Sequence, residues 1–246
     1  MQKTEVVVLA AGYGKRMQSD LPKVLVPLHG KPLVQHVLEA VKASGVTDTP
    51  IVVVGQKREL VMTTLGSEYR YVAQLEQLGT GHAVLSAMPE LEEKVENVLV
   101  LNSDVPYIKP HSIHMLAEMA ENSDAVLTMA TVHVSDFEDW RAGFADFGRI
   151  IRDENGDIVK IVEKKDATPD ELKITEVNSG SYSFKASWLW NHLKALKNEN
   201  AQGEYYLTDL VGMACAEGAD IASISIDPKE AIGVNTKEHL DLLHKL

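Results

Sequence analysis

The 246-residue sequence predicts an α/β fold in which a mostly parallel central sheet is flanked by helices and carries a smaller lobe. Three observations lead there. Short β-branched runs alternate with helix-period segments over residues 5–132, the pattern of parallel strands joined by helical crossovers. Residues 147–163 switch to hairpin chemistry. No repeat, low-complexity tract or linker interrupts the chain, which is long enough for a full core, with 45% hydrophobic residues.

In order, strands are expected at 5–10, 51–54, 70–73, 98–102 and 125–132, with helices at 33–44, 58–65, 81–88 and 111–121 between them. Two strand-like runs, 147–152 and 158–163, flank Asp153-Glu154-Asn155-Gly156-Asp157, whose central Asn-Gly predicts a β-hairpin. A strand at 176–184, helices at 187–196 and 206–217, a strand at 220–226 and a helix from Thr236 complete the chain. The expected organisation is one domain: a main part at about 1–136, a lobe at about 137–200 folded onto the same sheet, and a closing segment at about 201–246. A sheet of this kind binds ligands at the carboxyl ends of its strands. That edge receives the loop after Ala10, the loop after Ala73, and residues 102–106.

Composition narrows the function. With 24 Lys+Arg against 36 Asp+Glu the net charge is −12, so the chain as a whole has no attraction for nucleic acid or an anionic membrane. An anionic substrate must be met locally, which gives weight to the cluster Lys15, Arg16 and Lys23. Cys215 is the only cysteine and is expected to be buried in a helix, so a reducing, cytoplasmic setting fits. No apolar run approaches the roughly 18 residues of a membrane span. His111 and His114 lack a third clustered ligand and read as solvated helix residues.

The loop that follows the first strand is Leu9-Ala10-Ala11-Gly12-Tyr13-Gly14-Lys15-Arg16-Met17, then Leu21-Pro22-Lys23. Its glycines allow backbone N–H groups to approach phosphate oxygens. The dinucleotide fingerprint fails, because Met17 stands where its third glycine is required, and the P-loop fails because neither Gly14-Lys15 nor Gly30-Lys31 is followed by Ser or Thr.

With Gln74-Leu75-Glu76-Gln77-Leu78-Gly79-Thr80-Gly81-His82-Ala83, Asp104-Val105-Pro106, Gly148-Arg149-Ile150, residues 161–168, residues 198–209 and Gly233-Val234-Asn235, the loop resembles the sugar-phosphate nucleotidyltransferase family. Within it, the blocks are similar in kind and order to the N-terminal half of the bacterial bifunctional N-acetylglucosamine-1-phosphate uridyltransferases.

The resemblance implies a Rossmann-like nucleotidyltransferase fold and transfer of UMP from UTP to N-acetylglucosamine 1-phosphate with Mg²⁺, or Mn²⁺. The product would be UDP-N-acetylglucosamine, a cell-wall precursor. It implies Arg16 and Lys23 as the catalytic cations. It assigns Leu9, Ala10, Ala11, Gly12, Gly14, Gln74, Gly79 and Thr80 to the nucleotide, Gly148, Glu163 and Asn178 to the sugar, and Asp104 and Asn235 to the metal. Another sugar specificity, a cytidylyltransferase for a polyol phosphate, and a non-catalytic nucleotide-sugar sensor remain open at this point.

Three departures from the family stand out. Asn102-Ser103 replaces the usual Tyr-Gly before the aspartate, residues 143–148 are longer than the usual Gly-Tyr-Gly, and no hexapeptide-repeat β-helix is expected in this chain.

Overall fold

The computed structural model describes residues 2–12, 17, 19–200 and 202–246. Its centre is strand β1 (Gln2–Ala10), a run of valines buried on both faces: Val6, Val7 and Val8 are all fully inaccessible. Such a run is what a strand with helices on both sides requires. Alternation then divides the core. Val6, Val8 and Ala10 join one apolar cluster, Val7 and Ala11 the other.

A short ribbon, β2 (Pro27–Leu28) with β3 (Lys31–Pro32), leads into α1 (Leu33–Ser44), which ends on the left-handed Gly45. Next come β4 (Ile51–Val54), α2 (Arg58–Leu65) and β5 (Arg70–Ala73). The expected helix at 81–88 is two pieces, α3 (Thr80–Ser86) and α4 (Met88–Leu91). Pro89 begins a new helix there, since its missing N–H is no loss in a first turn. Then follow β6 (Val95–Asn102), α5 (Pro110–Asn122) and β7 (Leu127–His133).

The predicted hairpin is present as β8 (Arg149–Arg152) and β9 (Ile158–Val162), paired antiparallel. The long β10 (Glu176–Lys185) runs into α6 (Ala186–Ala195), and α7 (Asp209–Glu217), β11 (Ile221–Ile226) and α8 (Lys237–Leu243) complete the fold. Cys215, expected to be buried, lies half-buried on α7 with its thiol near the Ile158 carbonyl.

The nine-stranded sheet has the path β11-β7-β10-β6-β1-β4-β5, with β8 and β9 branching from β10. Pairs β6–β1, β1–β4, β4–β5 and β7–β11 are parallel, and β10 is inserted antiparallel between β6 and β7. The carboxyl ends of β6, β1, β4 and β5 therefore emerge side by side. Helices α1, α2, α5 and α8 cover one face of the sheet; α3, α4, α6 and α7 cover the other. Among the described residues no helix is long and apolar enough to cross a membrane.

Candidate active site

Along the emerging strand ends lies a cavity of about 550 Å³ lined by Leu9, Ala11, Gly12, Lys23, Gln74, Gln77, Gly79, Thr80, Asn102, Ser103, Asp104 and Glu204. The three segments expected at this edge all contribute. Ala10 does not: it is buried in the core and registers against Val54, because alternation turns it away from its cavity-lining neighbours Leu9 and Ala11. Gly14 and Arg16 lie outside the described residues.

Lys23 is presented by its surroundings. Pro22 holds an extended backbone, a single helical turn (Lys23–Leu25) follows, and the buried Val24 and Leu25 anchor it. The ammonium donates to Asp104 Oδ2 at 2.6 Å and to Asn235 Oδ1 at 3.0 Å. These groups come from loops after the first strand, after β6 and before α8, so the sheet alone brings them together.

Asp104 is tied to the last of these loops through its backbone, since its carbonyl accepts from Val234 N at 2.8 Å. Asn235 is not the N-cap of α8; Thr236 takes that role by accepting from His239 N. One anionic and one neutral oxygen thus converge on a single cation, a donor pair of the hard kind that suits a divalent cation with phosphate and water completing its shell. Among the described residues no group of three His, Cys, Asp or Glu is placed to hold a metal, the His111/His114 pair included.

Beside this cluster, Gln74 is 4% exposed and its backbone N–H extends the β5–β4 ladder to the Val54 carbonyl. The loop after it is clamped by a segment whose role the sequence does not reveal. Tyr205 N donates to Leu78 O at 2.7 Å, Gly81 N to Tyr205 O at 2.8 Å, and Leu207 N to Thr80 Oγ1 at 3.0 Å. Gly79, at φ +104°, lies so close that a Cβ there would sit 2.6 Å from Tyr205 O. This clamp occupies the first turn expected of a helix at 206–217 and delays α7 to Asp209.

Two further residues are given no role by the sequence. Gly55 follows β4, and a Cβ there would lie 2.6 Å from Ala11 O and would collide with Gln77 Nε2. Gln77 Oε1 is buried without a hydrogen-bond partner among the described residues. A glycine directly after a strand at the ligand edge was the available signal for the first; the second stands in the Gln74–Ala83 block, which does not single it out.

The Asn102-Ser103 departure is accommodated. Ser103 is buried and lacks the positive φ that would demand glycine, its N–H donates to Leu9 O, and Asn102 Nδ2 donates to Gly180 O. The longer segment forms a 3₁₀ helix, Asp139–Asp146, held by the buried Arg149, whose guanidinium bonds Phe147 O and Ala145 O. It faces Ile232, His239 and Leu242 across a cavity of about 310 Å³ that Asn235 also lines.

Gly148, Glu163 and Asn178 also meet. Asn178 N donates to Gly148 O at 2.9 Å, and a Cβ on Gly148 would lie 3.5 Å from Glu163 Oε1. Asn178 sits at a bulge in β10 that shifts register between Asn178 and Tyr182. Its amide is already engaged, with Nδ2 donating to the Tyr182 hydroxyl and Oδ1 accepting from Gly180 N. Nearby, a second cavity of about 890 Å³ is lined by Glu163, Lys165, Asn200, Tyr206 and Asp209.

Desolvation by neighbouring protein atoms pushes the Glu163 carboxyl above its ordinary range although the residue is exposed to solvent; Lys165 pulls it back, while Asp166 and Asp209 add to the rise. A raised folded-state value means the folded protein holds this proton more tightly. The associated stability is therefore present below the unfolded value and lost as pH rises through the folded one. Glu163→Gln is accordingly expected to raise Tm relative to the parent at pH 7 to 8, with the gap closing below roughly pH 4, the ordinary range of an unfolded glutamate. Thermal unfolding across pH tests this, and a gap independent of pH would refute it.

A parallel α/β sheet whose strand ends gather a glycine loop, a paired lysine and a carboxylate–amide couple is the architecture of a nucleotidyltransferase. The chain belongs to the MobA-like NTP transferase domain family, whose profile matches residues 6–155. It is 42% identical over 241 residues to the bifunctional protein GlmU of Brevibacillus brevis, covering 98% of this chain and 50% of that protein. To the bifunctional protein GlmU of Caldanaerobacter subterraneus it is 42% identical over 248 residues, covering 100% and 52%. The chain thus spans about half the length of the curated relatives it matches.

Solved structures share the fold. A UDP-glucose pyrophosphorylase complexed with UDP-glucose superposes with a TM-score of 0.76 at 19% identity, covering 100% of this chain and 98% of that one. A CMP:2-keto-3-deoxy-manno-octonic acid synthetase complexed with CTP gives 0.72 at 18% identity, covering 99% and 97%.

Proposed function

We propose that this chain transfers UMP from UTP to N-acetylglucosamine 1-phosphate, releasing pyrophosphate and forming UDP-N-acetylglucosamine. The observation that carries the reading is Lys23 held between Asp104 and Asn235, with Lys23 and Asp104 lining the same cavity as Gln74 and Gly79. In the reaction a phosphate oxygen of the sugar bonds to the α-phosphorus as the bond to the β-phosphate oxygen breaks. The protein supplies position and charge rather than a nucleophile.

The backbone at Leu9–Gly12 accommodates the nucleotide, with Gly14 and Arg16 assigned to its phosphates. Lys23 is the point charge between the two reacting phosphates. Asp104 and Asn235 would hold Mg²⁺, or Mn²⁺, which when bound neutralises phosphate oxygens. Gln74 and the Gly79–Thr80 backbone read the uracil edge, and Gly148, Glu163 and Asn178 face the sugar. The domain parts follow the same division: about 1–136 for the nucleotide, 137–200 for the sugar and 201–246 closing the site.

Pyrophosphate release with a panel of NTPs and sugar 1-phosphates tests the reading. UTP with N-acetylglucosamine 1-phosphate should give the highest kcat/KM. Because two of the four hydrogen-bonding positions of the Asn178 amide are satisfied within the protein, an absent acetamido group does not strand it. The preference over glucose 1-phosphate is therefore expected to be modest, about 10-fold, and to narrow in Asn178→Ala. Equal kcat/KM for the two sugars would move the assignment to another hexose 1-phosphate.

A further inference from the structure

We propose that His82 is a positioning residue for base selection, locking the Gln74 amide so that its carbonyl oxygen faces the nucleotide cavity. The inference rests on the uridylyl-transfer reading above and deepens it. Gln74 Nε2 lies 3.0 Å from Gly79 O and 3.0 Å from His82 Nδ1. A carbonyl can only accept, so the Gly79 contact identifies this end of the amide as the NH₂ group. Both of its protons are then used, and His82 Nδ1 must be the acceptor, which requires the neutral ring protonated at Nε2. Rotating the amide by half a turn would set Oε1 against the Gly79 carbonyl and force the His82 ring into its other tautomer.

The lock is carried by rigid parts. His82 lies on α3, whose Ala83 and Val84 are buried, and Gln74 is tied by its backbone to β4. Oε1 is left as the end of a buried side chain lining the cavity. A fixed acceptor opposite the ring nitrogen suits the N3–H of uracil and opposes the lone pair at N3 of cytosine. A glutamine held by the Gly79 carbonyl alone would turn more readily and accommodate cytosine better. His82 thus converts a residue that tolerates both pyrimidines into one that prefers uracil, without touching the base itself.

The test is the ratio of kcat/KM for UTP over CTP in pyrophosphate release, with dTTP as control because thymine shares uracil's pairing edge. His82→Leu is expected to lower the UTP/CTP ratio about 10-fold, the size of one hydrogen bond, while the UTP/dTTP ratio holds. His82→Gln, whose amide falls short of the Nδ1 position, should act alike and serves if the leucine variant does not fold. His82→Asn, which can place an oxygen near Nδ1, should restore selectivity. An unchanged UTP/CTP ratio in a folded Leu or Gln variant overturns the proposal, as does an equal fall in both ratios. No UTP preference in the unsubstituted protein would overturn the underlying reading as well, whereas a UTP preference that survives both substitutions overturns the His82 role alone.

Discussion

Lys23→Ala is expected to lower kcat/KM for pyrophosphate release by about 10²-fold or more, the loss typical of removing one preorganised charge from a developing phosphate anion. The expectation follows from how the ammonium is held. Its side chain is only 13% exposed, and two side-chain oxygens on separate loops hold it in place. When a metal takes these two oxygens the ammonium is released at the cavity beside them, where it turns to the phosphates, so removing it removes one charge already placed at the reacting groups. Folding should survive, because the turn is anchored by Val24 and Leu25 rather than by the lysine. Lys23→Arg should not rescue activity, since a planar guanidinium replaces a compact ammonium between two converging oxygens. Near-parental turnover in a folded Lys23→Ala protein would remove this residue from the mechanism.

Asp104→Asn is expected to raise the metal concentration for half-maximal rate at least about 10-fold, because a neutral amide oxygen replaces the only anionic member of the pair facing the cation. Asn235→Ala should act in the same direction and more weakly, as it removes a neutral donor. Direct Mn²⁺ titration followed by electron paramagnetic resonance gives a readout independent of turnover. Full activity in excess chelator would defeat the assignment of both residues.

The two variants also differ in a structural respect. Asp104 ties its loop to Val234 through a backbone carbonyl that the substitution leaves intact, so the loop geometry is expected to persist. Lys23 in Asp104→Asn keeps an uncharged acceptor at the same place.

Much of this architecture was legible locally. The β-branched runs, the helix-period segments and the Asn-Gly turn correspond to observed elements, because a valine-rich strand buried on both faces and a turn of that composition have few alternative homes. The loop after Ala10, Gln74, and Asp104 also reach one edge, as parallel strands must deliver them to the same end of the sheet. Ala10 shows where such reading stops: a motif assigns a stretch, whereas strand alternation decides which of its side chains face the cavity.

What lay beyond local reading are contacts between segments far apart in the chain. By sequence Asn235 suits the cap of α8 equally well; only the approach of its loop to Lys23 and Asp104, with Thr236 taking the cap, sets its oxygen on the cation. Tyr205 carries no motif chemistry, yet its backbone clamps the loop from Leu78 to Gly81. The Gln74 amide has two orientations of equal standing in any sequence, and the Gly79 carbonyl and His82 ring select one of them. Composition and periodicity set which strands and helices form and which strand ends carry charge and glycine. Side-chain orientation, caps and clamps are properties of partners brought together by folding, and no pattern along a single segment can hold them.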